Sequence, residues 1–267
     1  MLNMFNILLY ILIFFFGGVI GSFLNVLIDR IPRGEVVTKG RSHCESCHHL
    51  LAWYDLFPFF SFIFLQGKCR YCHKPIGFQT IVLETLTGVV FVVVTYTLIQ
   101  QNTLPPLLAV SLFYSLSIVS SFMVIAFIDA KHGIIPNSIV YSATLISIVY
   151  HLFFWQTALP YFLSACGAGL FFLLLFIATK GRGMGFGDVK LAFLLGLFLG
   201  FPAIIIALYL SFLTGAIIAF ILVIRKKKKF SGGTIAFGPF LILGSVIAFL
   251  FGNFLLTQSF FSFLRLL

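Results

Sequence analysis

Two aspartates and two pairs of cysteines are the residues of this 267-residue chain whose types and spacing can do chemistry. Asp129 stands in Phe127-Ile128-Asp129-Ala130-Lys131-His132-Gly133, and Asp188 in Gly183-Met184-Gly185-Phe186-Gly187-Asp188-Val189-Lys190. Each borders an apolar run, where an ionised side chain costs on the order of 3 kcal/mol at the bilayer centre and less near its edge. Two carboxylates brought together in a partly desolvated place share a proton, which makes an acid and a base from identical residues. One can take a proton from a water that attacks a peptide carbonyl. The other can protonate the developing oxyanion and then the leaving amine. Taken singly, each is also a helix-end charge, Asp129 near Lys131 and Asp188 as an N-cap beside Lys190. The alternation of Gly183, Gly185 and Gly187 favours the chemical reading, because it gives a backbone that an extended peptide can approach closely. The same glycines fail the G-x-G-x-x-G phosphate pattern, since its last position is Asp188.

The cysteines form Cys44-x2-Cys47 and Cys69-x2-Cys72, with 21 residues between the pairs. Each pair can fold as a turn that aims both sulfurs at one ion, and two such turns complete a closed tetrahedral thiolate site, the arrangement of structural zinc. Disulfides or a redox centre are the rival reading, disfavoured in a reducing compartment with no thioredoxin-like unit nearby. His43, His48, His49 and His73 flank the cysteines, and four thiolates suffice without them. The lone Cys166 is expected to pack as a small hydrophobe.

The elements that must position these residues are set by composition. Hydrophobic residues make up 61% of the chain and charged ones 9%, with a mean hydropathy of +1.13, so its solvent is lipid. A span needs roughly 20 apolar residues. Runs near that length lie at about 5–26, 80–99, 105–128, 138–155, 159–179, 189–200, 203–224 and 235–256, with a break at Gly200, Phe201 and Pro202 dividing the sixth from the seventh. The expected fold is an all-α polytopic membrane protein of about eight transmembrane helices with a small zinc-binding loop domain. Its parts are a first helix (1–26), the loop domain (27–79) and a helical core (80–267). Eight crossings place Arg30, Arg33, Lys39, Arg41, Lys68, Arg70, Lys74, Lys131, Lys180, Arg182, Lys190 and Arg225 to Lys229 on one face, leaving Arg265 opposite. By the positive-inside rule that face is cytoplasmic. Asp129 and Asp188 then stand at the cytoplasmic ends of their helices, and the sixth run is short enough to start Asp188 below the surface. The net charge of +10 is scattered over loops beside the membrane, so lipid is the expected partner and nucleic acid is not.

Taken together, these residues resemble the bacterial type IV prepilin leader peptidases, members of the GxGD aspartic proteases. The likeness is carried by Gly185-Phe186-Gly187-Asp188-Val189-Lys190-Leu191, by Gly21-Ser22-Phe23-Leu24-Asn25-Val26 running to Arg30-Ile31-Pro32, and by Trp53-Tyr54-Asp55-Leu56-Phe57-Pro58. Cys69-Arg70-Tyr71-Cys72, Asp129 with Ile135-Pro136-Asn137, and Phe237-Gly238-Pro239-Phe240 complete it, in order along nearly the whole chain. Ala236 and Glu45 stand where many relatives carry proline. The resemblance implies a membrane endopeptidase that removes the basic leader of prepilins or pseudopilins just after a glycine, at the cytoplasmic face of the cell membrane. Asp129 and Asp188 would be its catalytic pair. It also implies methylation of the new amino terminus with S-adenosylmethionine, for which Gly21, Asn25, Asp29 and Arg30 are candidates whose other reading is helix packing and a basic flank. Glu84, about a turn inside the second run, is read as structural.

Two other classes of function use the same residues. A proton-coupled or ion transporter could work with Asp129 and Asp188, although the two halves of the chain show no inverted repeat. A non-catalytic zinc-bearing scaffold would account for the cysteines and leave the glycine-flanked Asp188 unexplained.

Overall fold

The computed structural model describes residues 4–37, 42–44, 46–100, 105–224 and 236–255. Each of the eight apolar runs is helical: α1 (Met4–Arg30), α3 (Gln79–Gln100), α4 (Pro105–His132), α5 (Asn137–Phe153), α6 (Leu159–Ala178), α7 (Phe186–Leu199), α8 (Ala203–Ile224) and α9 (Gly238–Leu255), with the short α2 (Phe60–Phe64) in the loop domain. Among the described residues the only β pairing is two isolated bridges, His43 with Leu50 and Lys68 with Pro75. Lys39, Arg41, Glu45, Arg225 to Lys229 and Arg265 lie outside the described residues.

The helix ends follow local chemistry. Gly133, with φ +68°, closes α4 by donating its N–H to the Asp129 carbonyl at 2.8 Å, the left-handed stop that glycine makes at least cost. Gly200, with φ +67°, ends α7 and keeps it apart from α8, as the break at 200–202 predicts. The first helix runs four residues past its expected end, through Asp29 and Arg30, because Leu27 and Ile28 continue the apolar run and no helix breaker arrives before Pro32.

Among the described residues five helices are long and apolar enough to cross a membrane, Asn6–Arg30, Gln79–Gln100, Leu107–His132, Leu159–Ala178 and Ala203–Leu222, and Asn137–Phe153 and Gly238–Gly252 are shorter apolar helices. The chain is therefore built as a multi-pass membrane protein. It divides into two compact units, Met1–Val124 and Ile125–Leu267.

In the first unit α1 packs along α3. A Cβ on Gly17 would fall 2.7 Å from Gly88 Cα, and one on Gly21 would fall 2.8 Å from Glu84 Cα. The small-x3-small stripe is thus what lets the two backbones touch. In the second unit α7 lies at the centre, packed against α5, α6, α8 and α9. Leu191, Ala192, Leu194, Leu195 and Leu197 are all fully buried on it, which is why its sequence is apolar all round instead of on one stripe.

Candidate active site and metal centre

Asp129 sits in the last turn of α4 and Asp188 in the first turn of α7, and both are buried, at 4% and 6% exposure. The second unit contains both. Each is held by a backbone N–H at the start of a helix. Gly238, the first residue of α9, donates to Asp129 Oδ2 at 2.9 Å, and Gly185, the N-cap of α7, donates to Asp188 Oδ2 at 3.0 Å. A helix N-terminus carries partial positive charge and unpaired N–H groups, so it favours a carboxylate even where water is scarce.

Glycine at 238 leaves room for this without moving the carboxyl. A Cβ there would lie 2.6 Å from Asp129 Oδ2, inside contact distance. The sequence shows Phe237-Gly238-Pro239 plainly, yet nothing local says that its glycine belongs to an aspartate 109 residues away; only the structure joins them.

The three glycines before Asp188 divide by role. Gly187 presses on the segment after α4, where a Cβ would meet Ile135 Cβ at 2.9 Å, while at Gly185 the nearest atom would be 3.7 Å away, in ordinary contact. Gly183 is exposed and would meet only the Thr179 side chain, at 3.2 Å. The reversal out of α6 is made elsewhere, by Lys180 and Gly181, with φ +52° and +71°. Lys190 extends from α7 to Asn137 Oδ1 at 2.6 Å and lies over the rings of Tyr141 and Phe186. Ile135 and Asn137 thereby brace the start of α7 from the side.

The first unit contains the four paired cysteines. The sulfurs of Cys44, Cys47, Cys69 and Cys72 all lie within 4.8 Å of one another, and those of Cys44 and Cys72 are 3.8 Å apart. A tetrahedron of thiolates with metal–sulfur bonds of about 2.3 Å has edges of about 3.8 Å, so the donor set fits zinc. The two halves repeat one another. His48 donates its N–H to the Cys44 carbonyl at 2.8 Å and His73 to that of Cys69 at 2.9 Å, with φ +55° and +57°. Each flanking histidine is thus the left-handed residue that closes its turn, a conformation histidine adopts more readily than most residues. Burial opposes ionisation of Cys44, but the N–H groups of Cys47 and Ser46 and the neighbouring thiols outweigh it and bring the thiol down to about 7. At Cys72 the Lys74 N–H favours the thiolate, yet burial and the other three sulfurs push it up to about 11. Four sulfurs this close cannot all carry charge unless a cation sits among them.

The residues picked out for methyl transfer are placed differently from one another. Gly21 is closed against α3, and Asn25 bridges the same two helices, donating to Thr80 Oγ1 at 3.1 Å and accepting from Gln79 Nε2 at 2.8 Å. Asp29 and Arg30 lie at the end of α1, where Arg30 donates to the Val36 carbonyl at 3.2 Å. Gly21 and Asn25 thus take part in packing α1 against α3.

Residues 15–98 match the family of the bacterial peptidase A24 N-terminal domain, and residues 116–220 match the type IV leader peptidase family. The chain is 31% identical over 235 residues to a prepilin leader peptidase/N-methyltransferase of Myxococcus xanthus, a match that takes in 84% of this chain and 66% of that protein's length. It is 30% identical over 251 residues to a protein of the same name from Bacillus subtilis, covering 91% of this chain and 94% of the relative. A third such protein, from Aeromonas hydrophila, is 30% identical over 278 residues, with 92% of each chain covered. No solved structure matches the chain.

Proposed function

We propose that this chain, which belongs to the type IV leader peptidase family, is an aspartic endopeptidase that removes the leader of prepilins or pseudopilins at the cytoplasmic face of the membrane. The observation that carries the reading is the burial of Asp129 and Asp188 in one unit, each with one oxygen anchored by a helix-start N–H. Those anchors fix the carboxyl planes and leave the second oxygen of each for water and the scissile carbonyl. The shared proton then lets one carboxyl act as base toward the water while the other protonates the oxyanion and the departing amine. The brace from Ile135 and Asn137 holds the start of α7, and Asp188 with it, against the segment that follows Asp129. Gly183 to Gly187 form the open approach by which an extended leader enters.

Eight crossings, with the basic loops on the cytoplasmic side, put the two carboxyls at the depth where a leader meets the membrane. Residues 27–79 act as a zinc-stapled domain and 80–267 as the peptidase core. Zinc supplies a structural cross-link through Cys44, Cys47, Cys69 and Cys72 and takes no part in hydrolysis. The names of the relatives extend the reading to methylation of the new amino terminus with S-adenosylmethionine, for which Gly21, Asn25, Asp29 and Arg30 are the candidates.

The test is direct. The purified chain in lipid nanodiscs should shorten a synthetic prepilin by its leader, and the product's first residue, read by mass spectrometry, should follow a glycine. Intact substrate after prolonged incubation, together with ion or proton flux through proteoliposomes, would favour the transporter reading instead.

A further inference from the structure

Between the two cysteine turns runs Leu56-Phe57-Pro58-Phe59-Phe60-Ser61-Phe62-Ile63-Phe64-Leu65, ten residues without a charge. A loop in water has no reason to be so apolar. Its contacts lie far along α1. The Phe59 ring stacks on Phe14 at 5.1 Å and 12°, the Phe60 ring on Phe15 at 5.9 Å and 14°, and Phe59 and Pro58 fill the space left by Gly18.

The position of those partners fixes the depth. Phe14 and Phe15 lie about 22–24 Å from Arg30 and about 15 Å from Met4 along the axis, at about 1.5 Å per residue. A hydrocarbon layer of about 30 Å on a helix of about 40 Å encloses that level wherever it is placed. We infer that residues 56–65 form a re-entrant wedge, folded back into the bilayer beside α1, whose outer face meets lipid acyl chains. That face consists of Phe57, Ile63 and Phe64, at 52%, 66% and 81% exposure, and it continues the exposed apolar side of α1 at Leu12, Phe15 and Val19.

Irregular backbone survives at membrane depth only where the protein satisfies its polar groups. At the tip of the segment Glu84 and the segment's own carbonyls receive the amides. Phe59, with φ +62°, donates its N–H to the carboxyl of Glu84 at 3.0 Å. The amides that follow turn inward, Ser61 to the Phe57 carbonyl at 3.1 Å, Ile63 to Phe59 at 3.0 Å and Leu65 to Ser61 at 3.0 Å. The buried Glu84 thus has a task, as the acceptor that pins the tip of the wedge to α3. The wedge in turn ties both cysteine turns to the membrane, one at each of its ends.

The inference depends on α1 crossing the membrane and not on the peptidase reading, so the two fail separately. The photo-reactive residue p-benzoyl-phenylalanine is introduced in place of Ile63, of Phe64 or, as an aqueous control, of the exposed Lys74. The full-length protein is irradiated in native membranes and its adducts are identified by mass spectrometry. Phospholipid adducts at positions 63 and 64 should exceed those at 74 several-fold. Equal yields at all three positions, or adducts to a polypeptide at 63 and 64, would overturn the proposal. In the same assay Glu84→Gln, which keeps an acceptor, should preserve the lipid adduct at position 64, and Glu84→Leu should reduce it to the control level. Undiminished lipid labelling in Glu84→Leu would remove Glu84 as the anchor.

Discussion

The cysteine cluster and the aspartate pair both bring reactive side chains together through backbone N–H groups at tight turns, but they draw on the chain over different ranges. The cluster is made of two nearly identical turns within residues 44–73, each closed by its own left-handed histidine. The aspartate site takes Asp129 from the end of one helix, Asp188 from the start of a second and the Gly238 N–H from the start of a third. A site made of local repeats depends on little beyond its own two turns. A site assembled from distant helix ends depends on how those helices pack, and small errors in packing reach the reacting atoms directly.

The largest effect should come from the carboxyls themselves. Asp129→Asn and Asp188→Asn each remove a proton carrier while keeping the side-chain shape, and cleavage should fall by about 10²–10⁴-fold with membrane accumulation unchanged on an immunoblot. Appreciable cleavage by either variant would take that residue out of the mechanism. Next come the glycines, which rank by the space around them. Gly238→Ala sets a Cβ against Asp129 and should cost about 100-fold, the scale of a 1 Å misplacement. Gly187→Ala, against the branched Cβ of Ile135, should cost less, and Gly185→Ala, with nothing nearer than 3.7 Å, least. If Gly185→Ala proved the most damaging of the three, close peptide approach would outweigh positioning.

These two regions also differ in how far the sequence discloses them. Two Cys-x2-Cys pairs state their partner, because the geometry of each turn lies within the motif itself. That His48 and His73 close their turns was not legible, since left-handed φ is fixed by the carbonyl that each must reach. The eight helices followed from apolar run length, including the break at Gly200. What stayed hidden was which residues position the site across distance: Gly238 with Asp129, Gly187 with Ile135, Glu84 with Phe59. Hydropathy says that such residues are buried and leaves open what they face. It also led residues 27–79 to be read as one aqueous stretch, because ten apolar residues are too few to count as a span.

Removal of the metal probes the local half of the comparison. Cys44→Ser should bring bound zinc from about one per chain to none by elemental analysis and loosen residues 42–75 to protease, while prepilin cleavage persists. Loss of cleavage equal to that in Asp188→Asn would show that the two regions work as one. A finer division separates the activities. With cleaved, unmethylated pilin and labelled S-adenosylmethionine, Arg30→Ala should lower methyl transfer more than cleavage, and Asp188→Asn should leave methyl transfer standing. If instead Asp188→Asn alone abolished methyl transfer, the donor site would belong with the aspartates.

The smallest effect is expected at Asp55, which joins the second cysteine turn to the start of the apolar segment. Its carboxylate, 2% exposed, accepts from Arg70 Nε at 2.7 Å, from the Ala52 N–H at 3.2 Å and from the Tyr71 hydroxyl at 3.2 Å. Burial alone would raise its pKa, but the Arg70 bond, the Ala52 N–H and the Tyr71 hydroxyl outweigh it and hold the carboxyl below the usual range. A folded-state pKa below the unfolded one gives stability that is fully present above the unfolded value, about 3.9. That stability is lost as the pH falls through the folded value. At pH 7 the amides of residues 52–71 should therefore exchange more slowly in the parent than in Asp55→Asn, and the difference should shrink in acid. Zinc leaves both proteins as protons reach the thiolates, so the readout is the gap between the two and not the protection of either. No gap at pH 7 would mean that the cysteine turns hold this segment without the ion pair.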